Sequence, residues 1–178
     1  EFAYFTALGT MWQGIARSHI EQRFDDDILQ QMQRGLNGCL ETGAMLGVPF
    51  FMANMARTRS FDGQTQDALE EIDEALVLVA RTHEKWIEPE LHRLRGEFLA
   101  MDDGNNAQAE SAFIHARDLA IEQGAWAWAL RAATSLAMHW IKQGRDEDAR
   151  AQLRPIMENI REGYNTVDVQ SARALLDD

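Results

Sequence analysis

Apolar and small residues recur along this chain at two intervals at once. Locally they fall four apart, as in Ile28/Met32, Ala68/Ile72, Ala109/Phe113 and Ala149/Leu153. Residues four apart share one face of an α-helix, so each pair marks a buried stripe. The pairs also return along the chain, with Ile28, Ala68, Ala109 and Ala149 spaced 40, 41 and 40. A second series lies upstream of the first: Ala16, Ala56, Gly96 and Ala137 are spaced 40, 40 and 41. The surplus residue between Gly96 and Ala109 falls most simply in the DDGNN turn at 102–106. Small side chains at matching points let two helices cross closely, so each upstream and downstream pair predicts one helical hairpin.

Turn signals sit between the two series: RFDDD, FDGQ, DDGNN and KQGRD. Gly63, Gly104 and Gly144 are each placed to supply the positive φ that ends a helix. Pro49 and Pro89, forty residues apart, suit the first turn of a helix, where a missing N–H costs nothing. Four hairpins are therefore predicted, over about 1–46, 48–84, 86–123 and 125–162. A short last helix near 167–177, within a capping segment 163–178, carries Val169, Ala172, Leu175 and Leu176 on one side. Thr166 is placed to cap its start, and Gly163 to end the helix before it. Pro155 predicts a bend or break in the second helix of the last hairpin.

This pattern resembles the tetratricopeptide repeat, with its bulky–small pair, aromatic, later alanine and later phenylalanine. Trp12 lies four residues before Ala16, where that repeat prefers tryptophan. The period of 40–41 exceeds the usual repeat of about 34, the closing proline is missing, and Arg95 stands at a normally apolar position. The expectation is an all-α, tetratricopeptide-like right-handed superhelix of four long-helix hairpins plus a capping helix, forming one domain over 1–178.

The C-terminal half carries a more specific likeness. The segments EPELHRLRGEFL (88–99), AQAESAFIHARDLAIEQGAWAWALRAATSLAMHWIKQGRDEDARAQLRPI (107–156) and EGYNTVDVQSARALL (162–176) resemble the C-terminal repeat region of large bacterial signalling ATPases. Residues 41–76 match more loosely. Val167 departs from the pattern, since relatives tend to place a helix-starting proline there. In that family a nucleotide-binding ATPase module is coupled to an adenylate or guanylate cyclase domain, or to a winged-helix transcriptional regulator. The resemblance implies a non-catalytic regulatory module and carries no catalytic residues onto this chain. The abrupt start, EFAYFTAL, reads as a cut through a longer protein, without a signal peptide.

Composition narrows the classes. The chain has 178 residues, 46% hydrophobic and 26% charged, and no apolar run nears the roughly 18–20 residues of a membrane span. The single cysteine, Cys39, excludes an internal disulfide and a cysteine-rich zinc site. It follows Met32 and Leu36 on one helical face and reads as a buried core thiol. Reducing cytoplasm is the expected compartment. A net charge of −12 argues against direct nucleic-acid binding, and the acidic runs at 25–27 and 67–76 read as solvated helix faces.

Catalytic signatures are lacking. There is no HExxH, no GxSxG elbow and no Walker loop, so no enzyme activity and no cofactor is expected. His92 with Glu88 has the spacing of a helical metal pair, but its register favours a structural histidine. Trp12, Trp86, Trp126, Trp128 and Trp140 suit either helix packing or an aromatic cage, and their spacing fits packing better. Trp126 and Trp128 cannot face the same way on one helix. Counting from the small markers, Arg17, Arg57, Arg93, Arg131, Glu90 and Glu97 should line a concave groove. The arginines there would hold a carboxylate or other anion, or pair internally with Glu and Asp. Two functions remain open. One is an interaction or sensor module for a protein or peptide partner, or for upstream ATPase or cyclase domains of its own chain. The other is a scaffold for self-association, as a homo-oligomer, or for intramolecular packing.

Overall fold

A computed structural model describes residues 2–177 and is all-helical, with no strand among the described residues. Among the described residues nine α-helices follow in order: α1 (Ala3–Glu21), α2 (Asp26–Glu41), α3 (Val48–Ser60), α4 (Thr65–Thr82), α5 (Glu88–Leu99), α6 (Asn106–Glu122), α7 (Trp126–Ile141), α8 (Asp146–Met157) and α9 (Val167–Asp177). Single 3₁₀ turns precede α5 and α6. The chain divides into two compact units, residues 1–87 with α1–α4 and residues 88–178 with α5–α9. No described helix is long and apolar enough to cross a membrane.

In the N-terminal unit α1 pairs with α2 and α3 with α4, while α1 and α2 both touch α3. Met11, Ile15, Ile28, Met32, Leu36, Val48, Phe51 and Met55 form its core. The C-terminal unit repeats the scheme: α5 pairs with α6 and α7 with α8, and α5 packs on α7. There α9 lies against α7 and α8 through buried Val169 and Ala172.

The second helices follow the sequence pattern closely. Ile28, Met32 and Cys39, Ala68, Ile72, Ala75 and Val79, Ala109, Phe113, Ala116 and Ala120, and Ala149, Leu153 and Ile156 are all buried. Gly35 completes the first stripe. Among the first helices, Ala56, Gly96 and Ala137 are buried, but Ala16 is exposed. The close approach in the first hairpin is made by two glycines instead, Gly14 on α1 and Gly35 on α2. A Cβ on Gly14 would meet Met32 Cγ at 2.7 Å, as one on Gly96 would meet Phe113 at 2.7 Å. The reason is that α1 has only α2 and α3 as substantial neighbours, so its far side, with Ala16, stays open to solvent.

Pro49 and Pro89 both lie at the second position of their helices. Gly63 and Gly144, just past α3 and α7, have φ of 71° and 75°, the left-handed conformation that ends a helix, whereas Gly163, also left-handed at 69°, lies in the loop beyond Met157 and does not end α8. Gly104 is not left-handed. It is the middle residue of the 3₁₀ turn before α6, its N–H donating to Asp102 Oδ1 at 3.0 Å, so Asp102 organises that turn. Thr166 immediately precedes α9, but its hydroxyl donates back to Gly163 O at 2.8 Å rather than accepting from the helix. Pro155 sits in the last turn of α8, which ends at Met157 and is shorter than α2, α4 and α6. Helical bonding continues past the proline, with Glu158 N–H donating to Arg154 O at 3.1 Å, so the expected break does not fall at Pro155 itself.

Candidate functional site

The C-terminal unit gathers most of the charged residues nominated from the sequence. On α5, Glu90, Arg93 and Glu97 are spaced three and four apart and share one face. On α7, Arg131 and Ser135 are four apart and face them, and Asp168 enters from the first turn of α9. Arg93 donates to both oxygens of Glu90, through Nε at 2.7 Å and Nη2 at 2.9 Å. Its Nη1 pairs with Glu97 and donates to Ser135 Oγ at 3.1 Å. Arg131 Nη2 reaches Glu90 Oε1 at 3.0 Å, its Nε lies 3.7 Å from Asp168, and its guanidinium sits 5.2 Å over the Trp128 ring.

Arg93 is 3% exposed and Glu90 6%, so these charges are out of water and must be matched. Burial by itself would depress the Arg93 pKa. The adjacent Glu90 and Glu97 carboxylates outweigh it and hold the guanidinium above its usual range. Arg93 and Arg131 are both matched to the carboxylates of Glu90, Glu97 and Asp168, and this internal pairing disfavours an added anion. The arrangement works as an internal clasp tying α5, α7 and α9 together.

The other nominated arginines lie in the N-terminal unit. Arg17 joins α1 to α2, donating to Asp27 at 2.9 Å and Gln31 at 2.8 Å, with Glu21 at 3.7 Å. Arg57, on α3, is half-buried and also engaged. Ser135, Asp168 and Trp128 belong to the clasp without any sequence pattern that marks them for it. Their distance along the chain from Arg93 gave no local signal.

Trp12 and Trp86 pack against phenylalanine, while Trp126 lines a pocket between α7 and the segment leading into α9. Phe50 lies 5.5 Å from Trp12 and 5.9 Å from Trp86, so the three rings pack in a row. Glu84 accepts from Trp86 Nε1 at 2.8 Å and from Gly47 N at 2.9 Å, pinning the start of α3. Trp126 and Trp128 are both half-buried, and Trp140 is covered by Arg145 at 4.3 Å. His92 meets His115 edge-on at 4.3 Å, and no group of three metal-ligating side chains converges among the described residues. Cys39 is buried, and burial pushes its thiol pKa up.

No known protein-family model matches this chain, and no curated protein matches it.

Proposed function

We propose that the chain is a non-catalytic interaction and sensor module, the C-terminal repeat region of a bacterial signalling ATPase linked to a cyclase or a winged-helix regulator. Its hairpins wind into a tetratricopeptide-like right-handed superhelix and act by contact, in the cytoplasm, without a cofactor. The observation that carries this reading is the forty-residue register of successive hairpins, whose first helices pack on one another within each unit, α1 on α3 and α5 on α7. The clasp around Arg93 argues that an anion-binding arginine groove is not how it engages a partner. The contacts fall to exposed surface instead.

A second reading, a scaffold for self-association, is favoured by large apolar side chains left in water, among them Ile20 at 82% and Leu46 at 76% exposure. Titrating the purified chain into an ATPase module of the resembled class, while following ATP hydrolysis, separates the two. A saturable change in rate supports the regulatory reading. An unchanged rate, together with a tight homodimer in sedimentation velocity, contradicts it and supports the scaffold.

A further inference from the structure

Helix α4 carries two stripes. Ala68, Ile72, Ala75 and Val79 are buried, whereas Glu70, Glu74, Val77 and Arg81 form a second, exposed face at helical spacing. The repeat register places Asn37, Asp118 and Glu158 where α4 has Val77, and all three are polar and exposed. The position is therefore a solvent position of the repeat, yet Val77 is apolar and 60% exposed.

Val77 lies in a groove of about 560 Å³ on the N-terminal unit. Its floor continues through Met52 and Leu78, half-buried side chains that rest on the unit's core. Glu70, Asp73 and Glu74 stand along the same groove, with Arg81 at its other end. Among the described residues, Glu70 accepts only the neutral Gln66 amide, at 2.8 Å, and neither it nor Glu74 is in an ion pair. Glu71, one residue on, shows the contrast, since it is paired with Arg59 at 3.0 Å. Within its unit, α4 packs substantially on α3 alone, so this face has no helical partner there.

We propose that this groove docks a basic amphipathic helix of a partner protein. Its apolar side chains would rest on Met52, Val77 and Leu78, and its Lys or Arg residues would face Glu70, Asp73 and Glu74. Charge complementarity selects this occupant. An acidic partner is repelled, and a wholly apolar one would strip water from carboxylates without replacing it. The proposal rests on the chain being an interaction module, but not on which domains are attached to it.

The test is fluorescence anisotropy of a labelled Leu/Lys amphipathic helical peptide titrated with the full chain. A scrambled peptide of equal composition and a Glu-for-Lys version serve as controls. The amphipathic peptide alone should bind saturably, more weakly as salt rises. Val77→Asp, and separately Glu70→Gln with Glu74→Gln, should each raise Kd about tenfold with unchanged circular dichroism. Equal binding of the scrambled peptide, or a Val77→Asp chain that binds as wild type, overturns the proposal. Peptide binding with the expected losses, alongside an ATPase module that ignores the chain, would support the groove while removing the regulatory reading. Conversely, regulation of the module that survives both sets of substitutions would overturn the groove and leave that reading standing.

Discussion

Gly35→Ala should loosen the first hairpin, and the structure sets the size of the effect. A Cβ on Gly35 would lie 2.5 Å from Met11 N and 2.8 Å from its Cα, where ordinary contact begins near 3.4 Å. Helix α2 would therefore retreat from α1 by about 0.9 Å, the difference between the two distances. The obstacle is backbone, which cannot swing aside as a side-chain tip can. A gap of that size forfeits roughly a quarter to a half of each dispersion contact along the seam, including those of Met11, Met32 and Leu36. Overpacking costs about 1–3 kcal/mol, and a backbone obstacle places this case near the upper end. Alanine returns about 1 kcal/mol of helix propensity, which leaves a net loss of about 2 kcal/mol. Gly9→Ala in α1 is the control, because nothing lies within 4 Å of its added Cβ. It should gain about 0.5–1 kcal/mol. Urea denaturation followed by circular dichroism reads both changes, with an unchanged slope showing that the midpoint reports stability. A Gly35→Ala chain as stable as wild type, or a Gly9→Ala chain equally damaged, would refute the packing argument.

Further outcomes follow from the same contacts. Arg93→Ala should cost about 3–5 kcal/mol in urea denaturation, because it strands the buried Glu90 carboxylate, whereas Arg17→Ala, at an exposed pair, should leave the midpoint near wild type. Ala137→Leu and Ala149→Leu, at positions 0% and 1% exposed, should each lower stability by about 1–3 kcal/mol, while Ala151→Leu, on the exposed face of α8, should not. Burial raises the Glu71 pKa above the ordinary 4.5, outweighing the opposing Arg59 pair. The folded state thus binds that proton more tightly, so the Glu71 contribution to stability is full below pH 4.5 and is lost as pH rises through the raised value. The stability difference between wild type and Glu71→Gln, measured by urea denaturation across acid pH, should fall over that window; a flat difference would contradict the shift.

The second helices were legible because each buries one stripe and leaves the rest polar, so the four-residue spacing survives in the sequence. The first helices are harder to read. Helix α7 is buried at Ala129, Leu130, Ala132, Ala133, Thr134, Leu136 and Ala137, and such wide burial erases periodicity. Helix α1 departs for a different reason: it buries only Met11, Gly14, Ile15 and Ser18, so the register position at Ala16 falls on its open side and the close contact moves to Gly14. Gly104 is ambiguous in sequence because glycine fits both a left-handed cap and a 3₁₀ turn, and Asp102 decides between them. For the clasp, the spacing of Glu90, Arg93 and Glu97 was a visible signal of internal pairing. Asp168 and Ser135 join through tertiary packing that no local pattern records. Val77 was visible too, as an apolar residue at a polar point of the register, but only the structure shows that it lines a groove.

Hydrogen–deuterium exchange on the intact chain bears most directly on the forty-residue hairpin as the unit of this molecule. Slow exchange should recur at 28–39, 68–79, 109–120 and 149–156, the stripes that meet the first helices, with fast exchange at the turns 22–25, 61–64, 100–105 and 142–145 between them. Protection that runs unbroken through those turns, or that is missing from any one of the four stripes, would contradict it.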